Sequence, residues 1–244
     1  MIANDQPDCF PENVVAWVSS KEDGSLLNRA VGVHNPEYIA RRQQLCHSLG
    51  LRYGDMAYQR IKYNDSRTYH LIAEVDAGST TDNTAEIVAD ALYTTTPNVG
   101  LFLPVADCAA TVIYDKRRHA LALAHLGRHS TYAKLAPRLV KHFINDGSSP
   151  GDLVVWMSPH AQKSSYKLDW FDRASDPEWR GFYDIRPDGT YLDMAGYNKS
   201  LMTTLGVLPS NVYVSPVDTV TDSNYFSHSS GDVDGRIAVV AMLR

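Results

Sequence analysis

Apolar and polar positions switch along the chain between short strand-like runs and helical spacing. Val14 to Val18 predicts a strand. Asn35-Pro36-Glu37 then offers an N-cap with proline at the first helical position, and the helix it opens runs to about Leu49, with Gly50 as its stop. Ile39, Leu45, Cys46 and Leu49 form the apolar side of that helix, which assigns Cys46 to the core. Leu71 to Val75 predicts another strand, and Ala77 to Thr84 a polar loop. Val99 to Val105, Ala109 to Tyr114 and Ala120 to Ala124 are apolar runs of strand length, after which Leu135, Leu139, Val140, Phe143 and Ile144 follow helical spacing towards Gly147. Leu153 to Met157 returns to strand. Asp193 caps a helix carrying Met194, Tyr197, Leu201 and Leu205 on one face, and strands follow at Val212 to Val214 and Ile237 to Met242. This mixture, with hairpin-length gaps, predicts an α/β (α+β) fold of layered sheets covered by helices.

Asp115-Lys116-Arg117-Arg118 separates two apolar runs and predicts a β-hairpin. If that hairpin is centred between Lys116 and Arg117, Cys108 falls opposite His125 on one face, with Cβ atoms about 4.5–5.5 Å apart. An imidazole at that distance can take the thiol proton, or both groups can bind one metal ion. Both faces of the hairpin are largely apolar, so it belongs inside a covered sheet, where a cysteine and a histidine at the strand ends need a reason. A one-residue slip would separate the two.

The 244 residues are 44% hydrophobic and 21% charged, with 15 Gly and 12 Pro, which excludes disordered, collagen-like and low-complexity classes and predicts one globular domain over 1–244. Lys plus Arg number 23 against 28 Asp plus Glu, a net charge of −5, and no basic run exceeds Lys116-Arg117-Arg118; a nucleic-acid partner is not expected. The N-terminus lacks a cationic start before an apolar core and no run reaches membrane length, so a cytoplasmic protein without a membrane partner is expected. Cys9, Cys46 and Cys108 are an odd count with no CxxC pair, which argues against a disulfide framework and leaves a thiol to explain. Gly147-Ser148-Ser149-Pro150-Gly151 matches GxSxG in letters only, because it joins helix to strand rather than strand to helix.

Ala89-Asp90-Ala91-Leu92-Tyr93-Thr94, then Ala106-Asp107-Cys108, then Ala124-His125-Leu126-Gly127 resemble the ordered signature of the laccase-domain family, also labelled multicopper polyphenol oxidase, whose members include purine nucleoside phosphorylases. Ser158-Pro159 with Tyr166, Asn198-Lys199 with Gly206-Val207, and Phe226-Ser227-His228 followed by Gly235-Arg236 continue the likeness, while Ser19-Ser20 and Arg42 stand where its Ser-Thr and Asn-Arg motifs fall. The resemblance implies a single-domain α-β-β-α sandwich, similar to the catalytic domain of cytotoxic necrotizing factor. It also implies a His-Cys-His site for zinc or copper and phosphate-dependent cleavage of purine nucleosides, with adenosine deamination beside it. Cys108 corresponds to the family cysteine and His125 to its second histidine. The first, in Gln-Val-His-Gly, falls on His70 counted back from Asp90, or on Ile61 if the glutamine is Gln59. His125-Leu126-Gly127-Arg128-His129-Ser130 replaces the family's His-Ala-Gly-Trp-Arg-Gly, Asp218-Thr219 its Cys-Thr, and Ser229-Ser230 its arginine pair.

The leading expectation is therefore a purine nucleoside phosphorylase-like enzyme with phosphate as co-substrate, monomeric or homodimeric. Cys108 acts as thiolate partner or metal ligand, His125 orients or protonates the nucleoside, and Arg42 or Arg128 holds phosphate. His129, His228 and Asp107 bind substrate, and Cys108, His125 and His70 form the metal set. The alternatives are a Cys-His hydrolase or deamidase with Cys108 as nucleophile, or a degenerate purine-binding member without catalysis. Asp169 to Pro187, flanked by Trp170 and Trp179, reads as an acidic insertion that covers a pocket or contacts another subunit.

Overall fold

The computed structural model describes residues 1–244. The chain runs β1 (Val14–Val18), α1 (Pro36–Ser48), β2 (Met56–Arg60), β3 (Ile72–Glu74), β4 (Ile87–Val88), β5 (Ala91–Thr94), β6 (Gly100–Val105), β7 (Ala109–Asp115), β8 (Ala120–Leu126), α2 (Arg128–Tyr132), α3 (Leu135–Asn145) and β9 (Leu153–Met157). It continues through β10 (Lys167–Leu168), β11 (Tyr183–Arg186), β12 (Gly189–Leu192), α4 (Met194–Thr204), β13 (Val212–Val214) and β14 (Ile237–Leu243). Five strands form one mixed sheet in the order β1-β14-β6-β2-β4, and six form a second, β13-β9-β7-β8-β5-β3.

The two sheets face each other across a core that includes Leu92, Leu101, Val112, Leu123 and Val239. The outer face of the six-stranded sheet carries Ala120, Ala122 and Ala124, whose small side chains admit Leu135, Leu139, Val140 and Phe143 of α3. On the other side Leu45 and Cys46 of α1 cover Tyr58, Phe102 and Val240. The layers are thus helix, sheet, sheet, helix, and the apolar character of both hairpin faces follows from their two different partners. No helix is long and apolar enough to cross a membrane.

The helix boundaries follow from local chemistry. Asn35 Oδ1 accepts from Glu37 N at 3.0 Å before Pro36 opens α1, and Asp193 Oδ1 accepts from Gly196 N at 2.7 Å at the start of α4. The pattern of apolar positions did not mark β2 or β5. β2 reads Met-Ala-Tyr-Gln-Arg, and its Gln59 is buried because its amide Nε2 donates to Ala89 O at 3.0 Å. The 169–187 segment does not remain a loop. It contributes β11 to a three-stranded sheet, β10-β12-β11, and Trp179 stacks on Tyr197 with ring centroids 3.7 Å apart.

Candidate active site at the end of β8

His125 lies near the C-terminal end of β8, on the face directed into the space between the sheets, and the two strands beside β8 supply its neighbours. Ala91 pairs with Ala124, so Asp90, just before β5, stands next to His125. The His125 amide donates to Asp90 O at 2.8 Å, and the ring Nδ1–H donates to Asp90 Oδ1 at 2.8 Å. A carboxylate can only accept here, so this bond fixes the tautomer and turns Nε2 to the far side of the ring.

On the other side β7 sets Ala110, not Cys108, opposite His125. The hairpin is displaced by two residues from the register expected from its sequence, because Asp115 is the last paired residue and closes the turn. Its Oδ1 accepts from Arg117 N at 2.7 Å and Arg118 N at 3.0 Å, and His119 takes a positive φ of 52°. A shift of two preserves the face, so Cys108 is a diagonal neighbour of His125 on the same side of the sheet. A Cβ on Gly127 would stand 2.8 Å from Cys108 Sγ, 2.8 Å from His125 Cε1 and 3.0 Å from His125 Nε2, which puts thiol and imidazole side by side. Asp90, His125 and Cys108 therefore form a row across three strands. His125 Nε2 and Asp90 Oδ2 are both buried without a hydrogen-bond partner.

Tyr63, which follows β2 in the opposite sheet, closes this row with its ring perpendicular to the imidazole at a centroid distance of 5.9 Å. Burial by itself pushes His125 towards neutrality, but Cys108, Tyr63 and the Asp90 hydrogen bond outweigh it and hold the imidazole pKa well above its ordinary value. Tyr63 as a residue is 38% exposed, but withdrawal of its hydroxyl end from water raises the hydroxyl pKa, and His125 opposes the shift.

Two cavities flank the row. One of about 20 Å³ is bounded by Cys108, Arg128, His160 and Tyr166, with room for about one water. The other, about 470 Å³, lies on the far side of Tyr63 and is lined by Arg29, Lys62, Tyr63 and Arg236 among others.

The remaining sequence-predicted site residues divide sharply. Arg128 is half-buried beside Cys108 at the start of α2, with no acidic partner. His129 stacks on Tyr69 at 4.8 Å, and burial, with Arg128 and His125 nearby, lowers its pKa. Asp107 adjoins Cys108 but its carboxylate is already engaged, accepting from Thr219 Oγ1 at 2.8 Å and Ser229 N at 2.7 Å; it anchors two loops rather than awaiting substrate. His228 is exposed and makes no side-chain hydrogen bond.

Arg42 does not belong to the site. It is 1% exposed under α1, with Nε donating to Tyr38 O, Nη1 to Tyr53 Oη and Nη2 to Val33 O, and its guanidinium lies 4.6 Å from the Tyr58 ring centroid. Arg42→Met is expected to destabilise the fold by roughly 2–4 kcal/mol, since the buried Tyr53 hydroxyl and the half-buried carbonyls of Tyr38 and Val33 lose their donor, while kcat of the folded protein stays unchanged. Urea unfolding beside an activity assay checks this.

His70 is also misplaced by the sequence reading. It is exposed in the turn before β3, and no group of three or more His, Cys, Asp or Glu side chains is arranged to hold a metal ion. Ile61, the other position for a first histidine, packs against the inter-sheet core. Of the cysteines, burial pushes Cys46 up to about 12 and half-buried Cys9 up to about 12, which leaves Cys108 as the thiol with an imidazole beside it. Asp90 was legible as part of a motif, but its role was not; no local pattern marks a carboxylate that meets a histidine on a non-adjacent strand.

A family model described as multi-copper polyphenol oxidoreductase laccase matches residues 19–244. The chain belongs to this laccase family. Purine nucleoside phosphorylase YlmD of Staphylococcus aureus is 29% identical over 160 residues, 61% of this chain and 57% of its own length. A purine nucleoside phosphorylase of Deinococcus radiodurans is 28% identical over 161 residues, 64% of this chain and 62% of its own. The match thus spans less than two thirds of either relative. The fold is shared with YlmD of Geobacillus stearothermophilus (TM-score 0.82, 22% identity, 100% of this chain and 98% of that one) and with the hypothetical protein YfiH of Bacillus licheniformis (0.81, 23%, 95% and 93%).

The laccase family name implies copper or a related metal, and the donors present do not fit one. Cys108 Sγ and His125 Nε2 are two ligands, the His125 Nδ1–H is taken by Asp90, and no third His, Cys, Asp or Glu side chain joins them in an arrangement that could hold a metal ion. Zinc and copper sites of the closed or catalytic kind require at least three protein ligands.

Proposed function

We propose that this laccase-family chain, read as one domain over 1–244, is a phosphorylase-like enzyme of purine nucleosides. The observation that carries the reading is the row Asp90–His125–Cys108, a buried imidazole with one nitrogen fixed and the other without a partner beside a thiol, with the Tyr63 ring between it and a cavity. Phosphate oxygen attacks ribose C1′, the C1′–N bond to the base breaks, and the ring nitrogen of the departing base takes a proton. Imidazolium at His125 supplies that proton from Nε2 and recovers it from the incoming dihydrogen phosphate, so the products are free base and ribose 1-phosphate. Asp90 stabilises the charged ring, and Cys108 fixes its other edge. The cavity of about 470 Å³ is large enough for a nucleoside, whereas the pocket at Cys108 is not. A cytoplasmic location fits substrates of this class.

Incubation with adenosine or inosine plus phosphate tests the reading. Base and ribose 1-phosphate are expected in equal amounts, and a Cys108→Ala protein with unchanged turnover would remove the thiol from the mechanism.

The same row supports a second reading. Carboxylate, imidazole and thiol in series are the parts of a Cys-His nucleophilic site, with His125 Nε2 as the base for Cys108 and the Asp90 bond holding the ring. Rapid alkylation of Cys108 at neutral pH, together with hydrolysis of an amide or ester substrate and no phosphate requirement, is the outcome that favours it.

A further inference from the structure

We propose that the cavity behind Tyr63 is an oxyanion site in which Arg29 and Arg236, aided by Lys62, hold a phosphate-class anion. The chain carries a net charge of −5, yet this one cavity gathers Arg29, Arg60, Lys62 and Arg236. Its charges do not cancel. Arg60 is neutralised by Glu86, and Asp65, the one acid in the lining, is spent on Arg67, which it binds through both oxygens at 2.8 and 2.9 Å. Arg29, Lys62 and Arg236 have no carboxylate partner.

Arg236 is the informative member. It is only 4% exposed, and its sole side-chain hydrogen bonds run from Nη1 to the carbonyls of Val233 at 3.1 Å and Gly235 at 2.5 Å. Nη2 and Nε are left for the cavity. A buried guanidinium with no carboxylate in contact is unfavourable, and a second guanidinium nearby makes it more so; burial foremost, with Arg29, lowers the pKa of Arg236 against the opposing influence of Tyr63, Cys108 and Asp107. Two guanidinium groups lining one solvent-open cavity, one of them buried and the other exposed, present several N–H donors suited to the oxygens of a phosphate. Arg29 also lies over the Tyr63 ring at 5.1 Å, while the same ring meets His125 at 5.9 Å, so an anion held here is one phenol away from the imidazole. Of the two arginines expected on sequence grounds to hold phosphate, Arg42 is enclosed under α1 and Arg128 lines the smaller pocket at Cys108; the residues gathered here come instead from opposite ends of the chain.

The role of this anion as co-substrate rests on the phosphorylase reading; its binding does not. Two sources share the chemistry: free inorganic phosphate, or the phosphoryl group of a nucleoside monophosphate. Calorimetric titration of the full chain with inorganic phosphate, and separately with adenosine monophosphate, at matched ionic strength distinguishes them. Wild type is expected to bind at least one of the two, and Arg29→Gln, at an exposed position that leaves folding intact, is expected to weaken that binding about tenfold or more. Arg236→Gln, checked for folding by circular dichroism, is expected to weaken it at least as much. Tighter binding of the monophosphate assigns the anion to a substrate, and tighter binding of free phosphate assigns it to a co-substrate. Absence of binding of either ligand, or equal affinity in wild type and Arg29→Gln, overturns the site. Phosphate binding that depends on Arg29 without any phosphorolysis leaves the site standing and removes the phosphorylase reading. Phosphorolysis with an unchanged phosphate KM in Arg29→Gln does the reverse.

Discussion

His125→Ala is expected to lower turnover by on the order of 10³–10⁴, and Asp90→Asn by on the order of 10²–10³, because the first removes the imidazole on which proton transfer depends and the second removes the carboxylate that positions it and favours its charged form. The asparagine variant is the sharper experiment. His125→Ala leaves the Asp90 carboxylate buried without its partner, which costs stability as well as activity, whereas Asp90→Asn keeps the shape and alters only the charge beside Nδ1. Steady-state kinetics should show the loss in kcat more than in KM, since neither side chain lines the larger cavity.

The pH dependence gives the direction of the same effect. His125 is held well above its ordinary value of 6.5 by Cys108, Tyr63 and Asp90 against the opposing influence of burial. A group whose folded value is raised stabilises the protein fully below its unfolded pKa, and that contribution is lost as the pH rises through the folded value. Stability and activity of the wild type are therefore expected to hold through neutrality and fall on the alkaline side. Asp90→Asn removes one of the raising influences, so the alkaline fall in activity should move to lower pH and the dependence of stability on alkaline pH should become shallower. An unchanged pH–rate profile in Asp90→Asn would separate His125 protonation from the chemistry.

The second large effect is expected from one carbon atom. Gly127→Ala places a Cβ 2.8 Å from Cys108 Sγ and 2.8 Å from His125 Cε1, contacts too close to persist, so that the thiol and the imidazole are expected to be displaced. The backbone does not demand glycine here, since φ is −94° and ψ −177°, so the requirement is space alone. Overpacking of this kind costs roughly 1–3 kcal/mol, or about 2–4 °C in Tm for each kcal/mol in a chain of this size. Turnover should drop further than stability, because the displaced atoms belong to the site; a Gly127→Ala protein with wild-type kcat would show that thiol and imidazole need not stay adjacent.

How far the site could be read in advance differs from residue to residue. Cys108 and His125 were placed on one face by alternation alone, and the structure keeps them there despite a turn that closes on Asp115 and shifts the pairing by two residues. Alternation has a period of two, so it tolerates that error and would not have tolerated a shift of one. Arg42 illustrates the opposite case. A charged residue on a helix reads as available, and only the carbonyls of Val33 and Tyr38 and the hydroxyl of Tyr53 show that it is enclosed and satisfied. His70 failed for a similar reason, since counting along the chain carries no information about whether a turn folds towards or away from β8.

The sequence by itself determined the layers. Runs apolar on both faces must be covered twice, capped amphipathic segments must lie outside them, and the motif order from Ser19 to Arg236 carried the laccase family likeness that the match over residues 19–244 then showed. The tertiary structure alone decided the chemistry at His125. Asp90 reaches it from one neighbouring strand and Cys108 from another, Tyr63 arrives from the opposite sheet, and Arg29 and Arg236 come from the two ends of the chain. Hydrophobic periodicity reports which side of an element is buried, but which buried sides meet is set by the packing of distant elements, and a site assembled from six separate segments leaves no local trace.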